Sequence, residues 1–198
     1  MLDCSRIEID VLSRDTTTRI KPIMRRLLLL RHAKAERSIP GAPDRDRPLM
    51  ERGRKDSTAI GAYMAGHALI PDRVLLSPVT RTQETWNCAA KAFKPAPGAG
   101  MVEKLYDATP HTVLAVIKDI AASVHTALVV GHNPGLHELA LMLIATGDHE
   151  ARERLREKLP TCGLVIIDFA FDDWNRLHPH SGRLERFVTP KSLEAAAN

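Results

Sequence analysis

The feature that most constrains this chain is a set of short, unbroken apolar runs, each closed abruptly by residues with chemistry. Leu27 to Leu30 follows two arginines and ends at Arg31-His32-Ala33. Val74 to Leu76 ends at Ser77-Pro78, and Ala127 to Val130 ends at Gly131-His132-Asn133-Pro134-Gly135. A strand with one wet face alternates apolar and polar residues, whereas a strand covered on both faces reads as a continuous apolar run. The runs therefore predict buried, parallel strands with helices above and below.

The segments between them supply the helices. Small and apolar residues recur at helical spacing from Glu51 to Leu69, and Pro71-Asp72 stops them. Ser77-Pro78 reads as a cap and first helical position of a helix running to Phe93. Lys94 to Gly100 is a cluster of breakers, and Thr109-Pro110 opens a helix through Ile120. Leu136 to Ala145 reads as helix and Glu150 to Leu159 as a charged, solvated one. Gly163 to Phe171 is strand-like, and turns at Asp172-Asp173 and Ser181-Gly182 lead to a last strand at Leu184 to Val188. Alternation followed by a meander predicts an α/β fold, a three-layer α/β/α sandwich on a mostly parallel sheet.

Length and composition narrow the classes. With 198 residues the chain suits one domain, on a prior of roughly 150 residues per domain. Residues 1–23 are polar and lack periodicity, so they read as an extension, with Met24 an alternative start; residues 24–190 form the domain and 191–198 a tail. The apolar runs fall far short of the ~20 residues that cross a bilayer, and no secretory signal is visible. A net charge of +4 with 4% aromatics gives little ground for a nucleic-acid partner. Cys4, Cys88 and Cys162 are odd in number and widely spaced, which signals neither a disulfide framework nor a zinc ribbon. A reducing, cytoplasmic setting is expected.

In open α/β sheets, ligands sit at the carboxyl ends of the strands. If the three strands are neighbours, Arg31, His32, Arg81 and His132 converge there. Two arginines and two histidines without a carboxylate suit an anion rather than a catalytic metal. Guanidinium forks match phosphate oxygens, helix N-termini add donors, and a neutral imidazole can take up a phosphoryl group and release it.

Four segments in order resemble the histidine phosphatase superfamily, the phosphoglycerate mutase-like proteins. Leu30-Arg31-His32-Ala33-Lys34 resembles its R-H-G signature, with Ala33 for the usual glycine. Arg47-Pro48-Leu49 with Gly53 is similar to R-P-L-T-x-x-G, Ser77-Pro78-x-x-Arg81-Thr82-x-x-Thr85 to S-P-x-x-R-x-x-Q-T, and Gly131-His132-Asn133-Pro134-Gly135 to the late G-H motif. The short length and the G-H-N-P-G wording resemble the SixA-type phosphohistidine phosphatases. The resemblance implies a metal-independent phosphatase that needs no cofactor. In it His32 is the nucleophile, Arg31 and Arg81 clamp the phosphoryl oxygens, and His132 stabilises the transition state. Its partner is a phosphorylated protein carrying phosphohistidine, or a small phosphoester.

The family's proton donor has no clear match. Asp107, which precedes a helix, is the first candidate and Glu103 the second; a helix-start role fits Asp107 equally well. The run Asp44-Arg45-Asp46-Arg47 reads either as a pocket rim, with Arg47 or Arg45 on phosphate, or as a self-paired loop. Ser77 either joins the phosphate pocket or caps its helix, the cap being the reading preferred, and Asn133 either orients the pocket or makes a turn. His137-Glu138 lacks the rest of a zinc motif, and His178-Pro179-His180 has no partner, so no metal site is expected. Two alternatives stand beside the phosphohistidine reading: a general small-molecule or sugar-phosphate phosphomonoesterase, and a non-catalytic phosphate-binding module.

Overall fold

A computed structural model describes residues 24–197 apart from residue 39. The expectations for residues 1–23 lie outside the described residues.

The described residues form one seven-stranded sheet in the order β3-β2-β4-β1-β6-β7-β5. Its strands are β1 (Arg25–Arg31), β2 (Arg73–Leu76), β3 (Ala99–Met101), β4 (Thr126–Gly131), β5 (Ile144–Gly147), β6 (Leu164–Phe169) and β7 (Gly182–Val188). The helices are α1 (Glu51–Gly66), α2 (Thr80–Ala89), α3 (Pro110–Lys118), α4 (Gly135–Leu143), α5 (His149–Glu157) and α6 (Pro190–Ala197). Strand β1 is parallel to β4 and antiparallel to β6; β2 is parallel to both β3 and β4, and β6 and β7 close the antiparallel meander.

The apolar runs behave as a sheet buried on both faces requires. Leu27 and Leu29 of β1 enter one core with Val113 and Ile117 of α3, Leu139 of α4 and Leu155 of α5. Leu28 and Leu30 point the other way, into a second core with Ile60 and Met64 of α1 and Trp86 of α2. All four leucines are fully buried. This is the expected three-layer sandwich.

Four local expectations are corrected. Ser77 does not cap a helix: α2 begins at Thr80 with Val79 at its cap position, and the Ser77 side chain is turned to another partner. The helix read through Ala145 ends at Leu143, because Ile144–Gly147 peels off as β5 and pairs with β7. The breaker cluster before Gly100 runs into a short edge strand, β3, beside β2. Residues 190–197 form a helix rather than a free tail, with Leu193 packed against the second core. By contrast, Thr109 caps α3 as the sequence predicts, its hydroxyl accepting from the Thr112 amide at 3.2 Å.

One close approach fixes the loop after β1. A Cβ on Gly53 would stand 2.2 Å from the Lys34 carbonyl oxygen, so only glycine lets α1 lie against that segment. The Met50 amide donates to the same carbonyl at 2.9 Å.

Candidate active site

The register of the central strands brings three chain segments to one edge. Arg31 lies opposite Gly131 across β1 and β4, and Leu76 opposite Val130 across β2 and β4. The backbone ladder continues past the strands: the His32 amide donates to the Gly131 carbonyl at 3.0 Å, and the Ser77 amide to the Val130 carbonyl at 3.1 Å. His32, Ser77 and His132 thus leave the sheet side by side. The imidazole centroids of His32 and His132 are 5.2 Å apart.

His32 is held in one protonation pattern. Its Nδ1 lies 2.8 Å from the Ala33 carbonyl oxygen, which can only accept, so Nδ1 carries the proton and Nε2 is left with a lone pair. Burial pushes the His32 pKa down to about 4, and the guanidiniums of Arg81, Arg31 and Arg47 act in the same direction, against the pull of the Ala33 carbonyl. The imidazole is therefore neutral at neutral pH. The turn beneath it is clamped from two sides: the Ala33 amide donates to Thr85 Oγ1 at 3.0 Å, and the Cys162 amide donates to the carbonyls of Arg31 and His32, both at 3.1 Å.

His132 is neutral too. Burial, then His32 and Arg81, push it down to about 3. Its Nε2 lies 2.8 Å from Ser77 Oγ, and its Nδ1 is buried with no partner. Tyr106 meets its ring edge-on at 5.9 Å.

Arginines surround the pair. Arg31 donates from Nη1 to the Leu159 carbonyl at 2.9 Å, and Asn133 Nδ2 donates to the same oxygen at 3.0 Å. Arg81 is 5% exposed. The Nε atoms of Arg31, Arg47 and Arg81 are all buried without a partner, as is Asn133 Oδ1. The site thus has several cationic donors, two neutral imidazoles and an unfilled demand for acceptor oxygens.

The structure brings Arg31, His32, Arg81, His132, Ser77 and Asn133 together, with Arg47 at the rim. Among the described residues neither acid candidate hydrogen-bonds to these side chains. Asp107 is exposed, makes no side-chain hydrogen bond among the described residues, and sits at φ +49° at a turn before α3. Glu103 is exposed and pairs with Arg45 at 2.5 Å. The residue that sequence reasoning missed is Asp44. Its carboxylate reaches both Arg81 and Arg47, each at 2.9 Å. Burial acts to raise its pKa, but Arg81 and Arg47 outweigh this and hold the carboxyl below its usual range. The only pointer in the sequence was the charge run itself, which proves to be both self-paired, through Arg47–Asp44, and a rim. Among the described residues no three His, Cys, Asp or Glu side chains gather as a metal centre would need.

This arrangement of a mostly parallel sheet with imidazoles and guanidiniums at three strand ends defines an anion-binding site on an α/β fold. The comparisons with known proteins place it. The description "Histidine phosphatase superfamily (branch 1)" matches residues 27–99. An uncharacterized protein of Mycobacterium tuberculosis is 36% identical over 165 residues, covering 82% of this chain and all of its own length. Another from Mycobacterium leprae is 32% identical, with the same coverage. Among solved structures, the SixA protein of Agrobacterium tumefaciens, provisionally named a phosphohistidine phosphatase, superposes with a TM-score of 0.70 at 29% identity. It covers 84% of this chain and 98% of its own. A protein histidine phosphatase SixA complexed with tungstate shares the fold, with a TM-score of 0.67 at 20% identity, covering 85% and 99% of the two chains. The chain belongs to the histidine phosphatase superfamily, and within it is of the SixA type. These likenesses support a phosphatase.

Proposed function

We propose that the protein is a metal-independent phosphatase that hydrolyses phosphohistidine through a phosphoryl group carried on His32. The observation that carries this reading is the convergence of Arg31, Arg47, Arg81 and His132, each with a buried polar atom lacking a partner, on a neutral His32. A transferring phosphoryl group spreads charge over its equatorial oxygens and needs donors on several sides. Those atoms are such donors, already fixed before substrate arrives.

In the first step the Nε2 lone pair of His32 attacks phosphorus, a P–N bond forms, and the P–N bond to the substrate imidazole breaks; that ring, protonated on its other nitrogen, leaves as neutral imidazole. The Ala33 carbonyl holds the Nδ1 proton and so stabilises the positive charge that develops on the His32 ring. With Ser77 Oγ–H donating to Nε2 of His132, the proton of that ring sits on Nδ1, its unpartnered atom, which makes His132 a donor to the phosphoryl group. In the second step water attacks the phosphorus, the P–N bond to His32 breaks with its electron pair returning to Nε2, and phosphate departs with the protons of the water, leaving His32 neutral.

The choice of phosphohistidine follows from the proton inventory. An alkoxide leaves only when protonated, whereas an imidazole is a far better leaving group. Asp107 and Glu103 are exposed and hydrogen-bond to neither histidine, and Asp44 is held ionised on arginines, which supports a substrate whose departure needs no strong acid. The proposed partner is a phosphorylated protein. A reducing, cytoplasmic setting goes with this reading and with the free thiols of Cys88 and Cys162. The test is phosphate release from a phosphohistidine peptide and from an alkyl phosphate, each in EDTA. The reading predicts EDTA-resistant turnover that strongly favours the peptide. Equal rates on the two would transfer the assignment to a general phosphomonoesterase, and no turnover on either to a binding module.

A further inference from the structure

Arg81, the most buried guanidinium of the site, is already occupied. Its Nη1 donates to the Asp44 carbonyl at 2.8 Å and its Nη2 to Asp44 Oδ2 at 2.9 Å. The other carboxylate oxygen, Oδ1, takes Arg47 Nη2 at 2.9 Å, and the Tyr106 hydroxyl donates to Oδ2 at 3.3 Å. One side chain therefore joins two arginines of the proposed phosphoryl site, using two oxygens of one anion much as a phosphoryl group would. Only the Nε of Arg81 remains without a partner. Each terminal nitrogen of Arg81 carries two N–H groups, of which Asp44 takes one; a phosphoryl group that engages those same two donors must take the place of Asp44.

Asp44 can give way. It stands in a short 3-10 turn, Asp44–Asp46, flanked by Pro43 and Pro48, with no side-chain cap at the start of the turn. Its side chain is 41% exposed, so water can receive the displaced carboxylate.

We propose that Asp44 is a specificity-determining residue: a resident counterion on Arg81 that sets the threshold an incoming anion must exceed. The proposal rests on the phosphatase reading of the site. An external carboxylate or phosphodiester brings the same single charge as Asp44 and also gives up its free motion, so it gains nothing by exchange. A phosphoryl dianion brings twice the charge and displaces it. The site thereby admits phosphomonoesters and phosphoramidates, and turns away diesters and carboxylates that the bare arginines would bind.

The test is calorimetric titration of the full chain with inorganic phosphate and with dimethyl phosphate, a monoanionic diester. The proteins are the unmodified chain, Asp44→Asn, Asp44→Ala and Arg81→Ala. Thermal melts check that each variant is folded, and the two Asp44 variants guard against an effect peculiar to the new amide. The expected result is phosphate binding about tenfold tighter in both Asp44 variants, or about 1.4 kcal/mol. Dimethyl phosphate should be silent on the unmodified chain and measurable on both variants, and Arg81→Ala should bind phosphate more weakly than the unmodified chain. Unchanged or weaker phosphate binding in the Asp44 variants overturns the proposal. So does loss of turnover in Asp44→Asn at unchanged phosphate affinity, which would make Asp44 a proton donor. If no protein of the series binds phosphate, the phosphatase reading itself falls; if the unmodified chain and both Asp44 variants bind alike, only the role of Asp44 does.

Discussion

Strand β1 carries arginines at both ends, and the two ends have opposite chemistry. At its start, Arg26 forms a two-point pair with Asp168, both contacts 2.7 Å, and Arg25 is 2% exposed. Arg25 gives its terminal nitrogens to the carbonyls of Ala122 and Asp172 and to His125 Nδ1. At its end, Arg31 makes one bond, to the Leu159 carbonyl, beside Arg81, Arg47 and two neutral histidines. Yet the Nε of Arg25 is as unpartnered as that of Arg31. A single orphaned donor therefore does not mark a ligand site. What distinguishes the C-terminal end is that Arg31, Arg47, Arg81 and His132, each with such an atom and each from a separate element, gather near the neutral His32.

The comparison breaks if the two ends respond alike to mutation. Arg31→Ala and Arg81→Ala should each lower kcat/KM by roughly 10²–10³, the cost of removing one fixed donor to a charged transition state, with little loss in Tm. Arg25→Ala should do the reverse. The carbonyls of Ala122 and Asp172 lose a buried charged donor, which costs about 2–3 kcal/mol of stability, while kcat/KM of the folded protein stays within a fewfold. Steady-state kinetics paired with thermal melts on the three variants decides it.

Acid should strain the C-terminal end first. His32 and His132 have folded pKa values of about 4 and about 3, below the ordinary value of 6.5. Between those values the unfolded chain binds more protons than the native one, so stability is full above about pH 6.5 and falls as pH drops through the folded values. The loss from this pair amounts to a few kcal/mol. Urea midpoints measured from pH 7 to 4 should decline in the unmodified chain and decline less steeply in His32→Ala.

Smaller effects sharpen the contrast. Gly53→Ala places a methyl group against the Lys34 carbonyl and should cost about 1–3 kcal/mol; denaturant titration reads it. Asp168→Ala breaks the pair with Arg26. Asp168 is 8% exposed and Arg26 about a third, so solvent screening holds the expected cost to about 1–2 kcal/mol, again with kcat/KM unaltered.

How much of this was legible in the sequence follows from where each signal resides. The β1, β2 and β4 runs were readable because burial on both faces leaves no polar alternation to obscure them. Arg31, His32 and His132 were readable as neighbours because they close those runs, and Arg81 because it lies one turn beyond. Ser77 misled because Ser-Pro is also a capping pattern; its hydroxyl faces His132, and Thr82 bonds the carbonyls of Ser77 and Val79 instead. Ile144 misled because an apolar residue after a helix carries no mark of the β7 edge that captures it. Asp44 was hidden for a different reason. Its partner Arg81 is 37 residues away, and nothing local says that the proline-bounded loop folds back over the sheet edge.

The most direct test of the account is a rapid-quench search for a covalent intermediate, using a peptide labelled on its phosphohistidine. An acid-labile phosphoryl group is expected on the proteolytic fragment containing His32, formed in EDTA and absent from His32→Ala. A chain that turns over substrate with no such label, or a His32→Ala variant that retains full activity, would contradict it.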